Sequence, residues 1–286
     1  MDKTPVMPAD TSDRVLSMLH AMTRPQRRPD LAEDGQVLAN AVRHTVDHRG
    51  MSLAAWSWGT GIPVLLLHGW ESRASHMASF VPELLRYGLR PVGLDAPGHG
   101  ESGGDTTDVV NYGQAVVAAA AHFGPIGGVI AHSLGSAAAL YAYAHGVRVH
   151  ASVQLCGPAS LRRAIGRGGK AAGLGTVEIA RLEVLMAEHI GSPLEAMELT
   201  ALRDGMVHSA LIVHDPDDRE VLVSESHLLA AAWPASTLSL VSGLGHRRIL
   251  RDPSVITSAA SFIADEIQKR EQGGHTLRLV GLNYAS

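Results

Sequence analysis

The segment "GVIAHSLGSAAALYAYAHG", Gly128 to Gly146, sets a polar pair, His132-Ser133, between a short apolar run and small residues at helical spacing. The apolar run reads as a buried strand and the small-residue stretch as a helix. A serine at such a junction stands on a tight turn that lifts its hydroxyl above a sheet, provided the positions two before and two after it are small. Ala131 and Gly135 occupy those positions, Ala131 with one methyl more than the glycine usual there. Ser133 is therefore the candidate nucleophile, against the plainer reading of a helix N-cap. His132 points the other way on such a turn and is expected to pack or hydrogen bond.

A serine hydroxyl is a poor nucleophile until a base takes its proton. Of the 16 histidines, His246 in "SGLGHRRIL" stands out, because it follows the last expected strand and precedes the last expected helix. Gly243 and Gly245 let that loop turn back over the sheet. The imidazole needs a carboxylate to fix its tautomer. Asp215, Asp217 and Asp218 in "LIVHDPDDREV" are the candidates, and the order serine, acid, histidine suits a nucleophile on a strand-to-helix turn. Acyl transfer also needs donors for an oxyanion. The backbone N–H of Leu134 is one candidate. The N–H of Trp70, after the strand "PVLLLHG", is the other, with Gly69 free to aim it inward. Trp70 is also a candidate wall of the substrate pocket.

These residues need a scaffold, and the pattern around them supplies one. From Gly61 onward short apolar runs alternate with helical stretches, which implies a mostly parallel sheet covered on both faces. Strands are expected at "PVLLLHG", "RPVGLD", "IGGVIAHS", "VHASVQLCG", "SALIVHD" and "STLSLVSG". One helix is expected over "ASHMASFVPELLRYG", with its start or straightness left open by Pro82, and the last begins at Asp252-Pro253. Residues 157–207 break the rhythm and read as a helical insertion over the sheet, opening with a flexible piece, "GRGGKAAGLG". Residues 1–50 read as an N-terminal extension with one or two short helices and the first strands, and Gly273 to Ser286 are left unassigned. The whole, 1–286, is expected to be a single domain.

Composition narrows the function classes. The chain is 45% hydrophobic and 18% charged, as a soluble globular protein is, and its net charge of -4 makes no case for nucleic acid or anionic membrane partners. The single cysteine, Cys156, forms no internal disulfide and reads as a buried thiol. No apolar run approaches a membrane span, and "MDKTPVMPADTSDRV" has no secretory h-region, so a cytoplasmic protein is expected. No metal-ligand cluster stands out, and the glycine-rich piece lacks the strand and GK[ST] ending of a phosphate loop. Arg162, Arg163, Arg167 and Lys170 read as a solvated face.

"HGW", "DAPGHGES", "AHSLG", "HDPDDREV" and "GLGHRRIL" together resemble the α/β-hydrolase fold family over about Met51 to Arg270. The resemblance implies the α/β-hydrolase fold with a small helical cap and no cofactor. It selects Asp218 as the acid, four residues after His214, although Asp215 stands where the family has glycine. "DAPGHGES" has a structural role in the family. Serine rather than aspartate at the turn argues against epoxide opening and halide removal. The expected function is hydrolysis of a small-molecule ester through Ser133, Asp218 and His246. Acyl transfer to an alcohol, thioester cleavage, perhydrolysis, carbon–carbon hydrolysis and a low-turnover ligand-binding protein remain as alternatives.

Overall fold

The computed structural model describes residues 9–27 and 32–282. Helices α1 (Ala9–Thr23) and α2 (Ala32–Ala39) precede an antiparallel hairpin of β1 (Val42–His48) and β2 (Met51–Ser57). The alternating part runs through β3 (Pro63–Leu67), a 3-10 segment (Ala74–Phe80), α3 (Val81–Arg86), β4 (Arg90–Leu94), α4 (Val109–Phe123), β5 (Gly128–His132), α5 (Leu134–Ala144) and β6 (Ala151–Leu155). After α6 (Leu161–Ala171), α7 (Thr176–Ile190) and α8 (Leu199–Leu202) it resumes with β7 (Ser209–His214), α9 (Val223–Ala232) and β8 (Ser236–Leu240). A single turn, α10 (Gly245–Arg248), and the long α11 (Pro253–Leu282) follow.

The strands form one eight-stranded sheet in the order β1-β2-β4-β3-β5-β6-β7-β8, parallel from β4 to β8 and antiparallel at β1 and β2. Alternate side chains of β3 enter opposite cores. Leu65 and Leu67 join Tyr112, Val116 and Ala138 on one face, while Val64 and Leu66 join Phe80, Leu84 and Ile263 on the other. Burial on both faces is why these strands read as unbroken apolar runs rather than alternating ones. From β3 the chain winds outward to β4 on one side, and β5 lies on the other side. The loops leaving β3 and β5 therefore diverge, and a crevice opens at their carboxyl ends. His68-Gly69-Trp70 leaves one of these strands and Ser133-Leu134 the other.

Several local expectations change. The helix expected over "ASHMASFVPELLRYG" is split into a 3-10 segment and α3, with Pro82 in the first turn of α3, where its missing N–H costs no hydrogen bond. "GRGGKAAGLG" is not a flexible piece, because most of it completes α6. Ser160 caps that helix by accepting the amide of Arg163 at 3.2 Å. Its glycines serve close packing: a β-carbon on Gly169 would stand 2.9 Å from Ile179 Cγ1, and one on Gly168 3.0 Å from Met18 Cε. Met18 belongs to α1, which packs on α6 and α7 around Val15, Ile165, Leu182 and Met186. The helical layer over the sheet thus draws on the N-terminal extension as well as on residues 157–207. α11 continues to Leu282, through most of the tail that showed no sequence pattern, and residues 283–286 lie outside the described residues.

Candidate active site

Ser133 joins β5 to α5 with φ +53°, a left-handed conformation that side chains avoid. Its amide donates to Leu155 O at 3.0 Å and its carbonyl accepts from Ser136 N at 2.9 Å, which holds the turn from both sides. The small-residue requirement has a direct cause. A β-carbon on Gly135 would lie 2.6 Å from the carbonyl oxygens of Leu67 and His68. The methyl of Ala131 is instead accepted into the core, where the residue is fully buried. Glu71 and Cys156, just beyond β3 and β6, also have positive φ, +49° and +48°. Backbone strain of this kind collects where a fold holds side chains in position for chemistry.

His246 approaches Ser133 from α10 on the loop after β8. Its Nε2 lies 3.0 Å from Ser133 Oγ and its Nδ1 2.7 Å from Asp218 Oδ2. Asp218 Oδ1 accepts the amides of Glu220 and Val221 at 2.7 and 3.0 Å, so the backbone holds one oxygen while the other meets the imidazole. Burial pushes the Asp218 carboxyl up, but His246 and those two amides outweigh it and hold the group below the usual carboxylate range. Asp217 is exposed and takes no part in this contact.

Three neighbours add hydrogen bonds around this contact: His132 bonds as its sequence context suggested, while the ties made by Asp215 and His214 had no sequence signal. Asp215 Oδ2 accepts the amides of Leu244 at 2.5 Å and Gly245 at 2.6 Å, while Oδ1 accepts Asp217 N at 2.8 Å. It ties the loop of the acid to the loop of the histidine. Its burial raises the carboxyl, and the three amides more than offset this and lower it. His132 Nε2 donates to His246 O at 2.8 Å, with the two rings 4.6 Å apart, and braces the same loop from the other side. Burial, then the neighbouring His246, pushes His132 down to about 3, so it stays neutral. His214, fully buried, donates from Nε2 to Val221 O at 2.9 Å and supports the segment behind Asp218.

Cys156, Asp218 and His246 bring donor atoms within 4.8 Å of one another. Asp218 and His246 are already bonded to each other, and burial pushes the Cys156 thiol up, away from the thiolate a metal needs. The donor set suits an acid–base pair better than a metal.

Gly69 lies against Ser133, since a β-carbon there would be 2.9 Å from Ser133 Cβ and 3.4 Å from Oγ. Trp70 follows it and, with Ser133, borders two cavities. One, of about 260 Å³, is nearly all apolar and lies between Leu134, Val109, Met186 and Ile190. The other, of about 450 Å³, has more polar groups in its wall, among them Glu71, Ser72, Glu220, His246 and Arg247. The candidate nucleophile thus stands at the seam of an apolar chamber and one that carries charged side chains.

A serine on a strained strand-to-helix turn at a sheet switch point, with a histidine and a buried carboxylate arriving from the last two strand ends, defines a class of protein, and the comparisons agree. The model of the alpha/beta hydrolase family matches residues 64–266, and the chain belongs to that family. No curated protein matches the sequence. Solved structures share the fold at low identity. A Pyrococcus furiosus esterase, Pf2001, is 18% identical with a TM-score of 0.66, over 86% of this chain and 98% of that one. Est1E from Butyrivibrio proteoclasticus, solved with ferulic acid, is 17% identical with a TM-score of 0.61, over 79% and 99%. A thermophilic esterase from Thermogutta terrifontis is 19% identical with a TM-score of 0.57, over 79% and 99%. Among the described residues no helix is long and apolar enough to cross a membrane.

Proposed function

We propose that the protein hydrolyses carboxylic esters through an acyl-enzyme on Ser133, with His246 as general base and acid and Asp218 as its partner. The contact chain from Ser133 Oγ to His246 at 3.0 Å and on to Asp218 at 2.7 Å, at the seam of two chambers, carries this reading. Ser133 Oγ attacks the ester carbonyl as His246 Nε2 takes its proton. The amides of Trp70 and Leu134 stabilise the oxyanion. The intermediate collapses, the carbon–oxygen bond to the alcohol breaks, and His246 returns the proton to the departing oxygen. Water then adds to the acyl carbon with its proton passing to His246, and the carboxylic acid leaves as Ser133 is restored. No external cofactor enters this balance.

The chambers suggest the substrate class. The apolar one suits the acyl chain. By the scale on which an apolar cavity of about 150 Å³ takes up benzene, it holds roughly ten carbons. The second chamber, with Glu71, Ser72, Glu220 and Arg247 in its wall, suits an alcohol portion that offers hydrogen-bonding groups. Esterase names among the structural neighbours are consistent with this reading. The test is hydrolysis of p-nitrophenyl esters of graded acyl length by the wild type and by Ser133→Ala. Turnover that peaks at a medium chain and vanishes in the alanine variant is expected. Absence of turnover and of a burst with every ester would overturn the proposal.

A further inference from the structure

We infer that Met22, on the N-terminal helix α1, is a specificity-determining residue that sets which acyl chains the apolar chamber accepts. The inference rests on the ester-hydrolase reading above. Met22 and Ala21 border the apolar cavity that also contains Ser133, so a wall of the chamber comes from a segment before the stretch matched by the family model.

α1 is held in place strongly enough to act as a wall. Val15 is 1% exposed and sits in the core shared by α6 and α7. Arg14 pairs with Glu178 of α7 at 3.2 Å and donates to Gly173 O at 2.7 Å. At the other end of α1, Thr107 N donates to Thr23 O at 2.8 Å, and Gln26 N donates to Glu71 Oε1 at 3.3 Å, beside Trp70. Arg27 then anchors the strap. Its guanidinium donates to the carbonyls of Gly100, Ser102 and Gly104 at 2.5, 2.7 and 2.7 Å, in the turn after β4. Met22 lies between these two anchorages. Its side chain is half-buried, packing against the cap core as Met18 and Leu19 do, and it borders the chamber. An unbranched thioether in such a wall is adaptable, and a change in its volume changes the space available to the chain directly.

The test compares Met22→Trp, Met22→Ala and Val15→Ala across p-nitrophenyl acetate, butyrate, hexanoate, octanoate and decanoate. One methylene in an apolar pocket is worth roughly tenfold or more in kcat/KM. Met22→Trp is expected to lower the decanoate-to-acetate ratio by at least about tenfold, and Met22→Ala to move the optimum to a longer chain. Val15→Ala loosens the same helix without touching the cavity wall and is expected to leave the ratio unchanged. If the Met22 variants scale every ester by one factor, or if Val15→Ala reproduces their shift, the inference falls. A readout without turnover separates it from the ester-hydrolase proposal. In Ser133→Ala protein, decanoic acid should raise the unfolding temperature more than butyric acid, and adding Met22→Trp should erase that difference. Should the wild type hydrolyse no ester, the proposal fails while this binding measurement still decides Met22. Equal stabilisation by decanoic acid with and without Met22→Trp would refute the assignment.

Discussion

The three aspartates of "HDPDD" lie within four residues of one another, and the structure gives each a different fate. Neutral amide substitutions should therefore separate them. Asp218→Asn keeps the shape but has one acceptor oxygen, and where the Glu220 and Val221 amides claim it an NH₂ faces Nδ1, so His246 is driven toward the tautomer that cannot take the Ser133 proton. A loss of about 10⁴-fold in kcat is expected, the scale found when a triad acid is replaced by its amide. Asp215→Asn touches no reacting atom. Its carboxylate serves three amides, two on Oδ2 and one on Oδ1. A carboxamide has one acceptor oxygen, so either the Leu244–Gly245 pair or the Asp217 amide must face an NH₂ group. A hydrogen bond to a charged acceptor contributes about 1.5–3 kcal/mol, and losing one frees the loop that carries His246. If half or more of that appears as misplacement of the imidazole, kcat falls by about 4- to 150-fold, with KM nearly unchanged. Asp217→Asn, on an exposed side chain, should remain within about twofold of wild type. The assay is steady-state ester hydrolysis at saturating and limiting substrate, beside thermal unfolding of each variant. Asp215→Asn within threefold of wild type, or as damaging as Asp218→Asn, would refute the division into a positioning carboxylate and a reacting-chain carboxylate.

Two further outcomes follow from the same geometry. Gly135→Ala would place a methyl 2.6 Å from two backbone carbonyls at the end of β3, and backbone cannot yield as a side-chain tip does. It should destabilise by about 3 kcal/mol or more and remove activity, checked by denaturant unfolding; near-wild-type stability would contradict the packing described. Acid should also weaken the fold. Burial pushes His132 down to about 3 and His208 to about 4. Both lie below the unfolded value, so the stability they contribute is complete above about pH 6.5 and is lost as pH falls toward the folded values, about 2 kcal/mol each by pH 5. Asp95, raised to about 6 chiefly by burial, works in the opposite sense. It returns only about 1 kcal/mol over the same range. Urea unfolding near pH 7.5 and pH 5 measures the net loss, and an unchanged midpoint would count against these shifts.

Much of the fold is legible in the chain because the relevant physics is local. A strand buried on both faces must be apolar throughout, so "PVLLL", "GVIAH" and "ASVQL" announce themselves. A turn that lifts a serine over a sheet tolerates only small flanking residues, so Ala131 and Gly135 mark Ser133 in the sequence itself. Asp252 accepts the amides of Ser254 and Val255, as its place before Pro253 suggests. Glycine misleads where its local and tertiary uses differ. In "GRGGKAAGLG" it implies a flexible backbone, yet it is there so that α1 and α7 can approach α6.

What the tertiary structure alone decided is which distant side chains meet. His246 and Ser133 are 113 positions apart, and His246 and Asp218 are 28 apart. Spacing left three carboxylates as partners for one imidazole, and the family resemblance selected Asp218; the packing of two loops sets Asp218 against the ring and Asp215 on the amides of Leu244 and Gly245. Likewise the pattern of α1 says that it is a helix, but not that Met22 borders the chamber of Ser133. Local sterics and hydrophobic period are properties of a few neighbouring residues. A cavity wall or a hydrogen-bond partner is a property of chain segments brought together by burial, and it exists only once the sheet and its cap have packed.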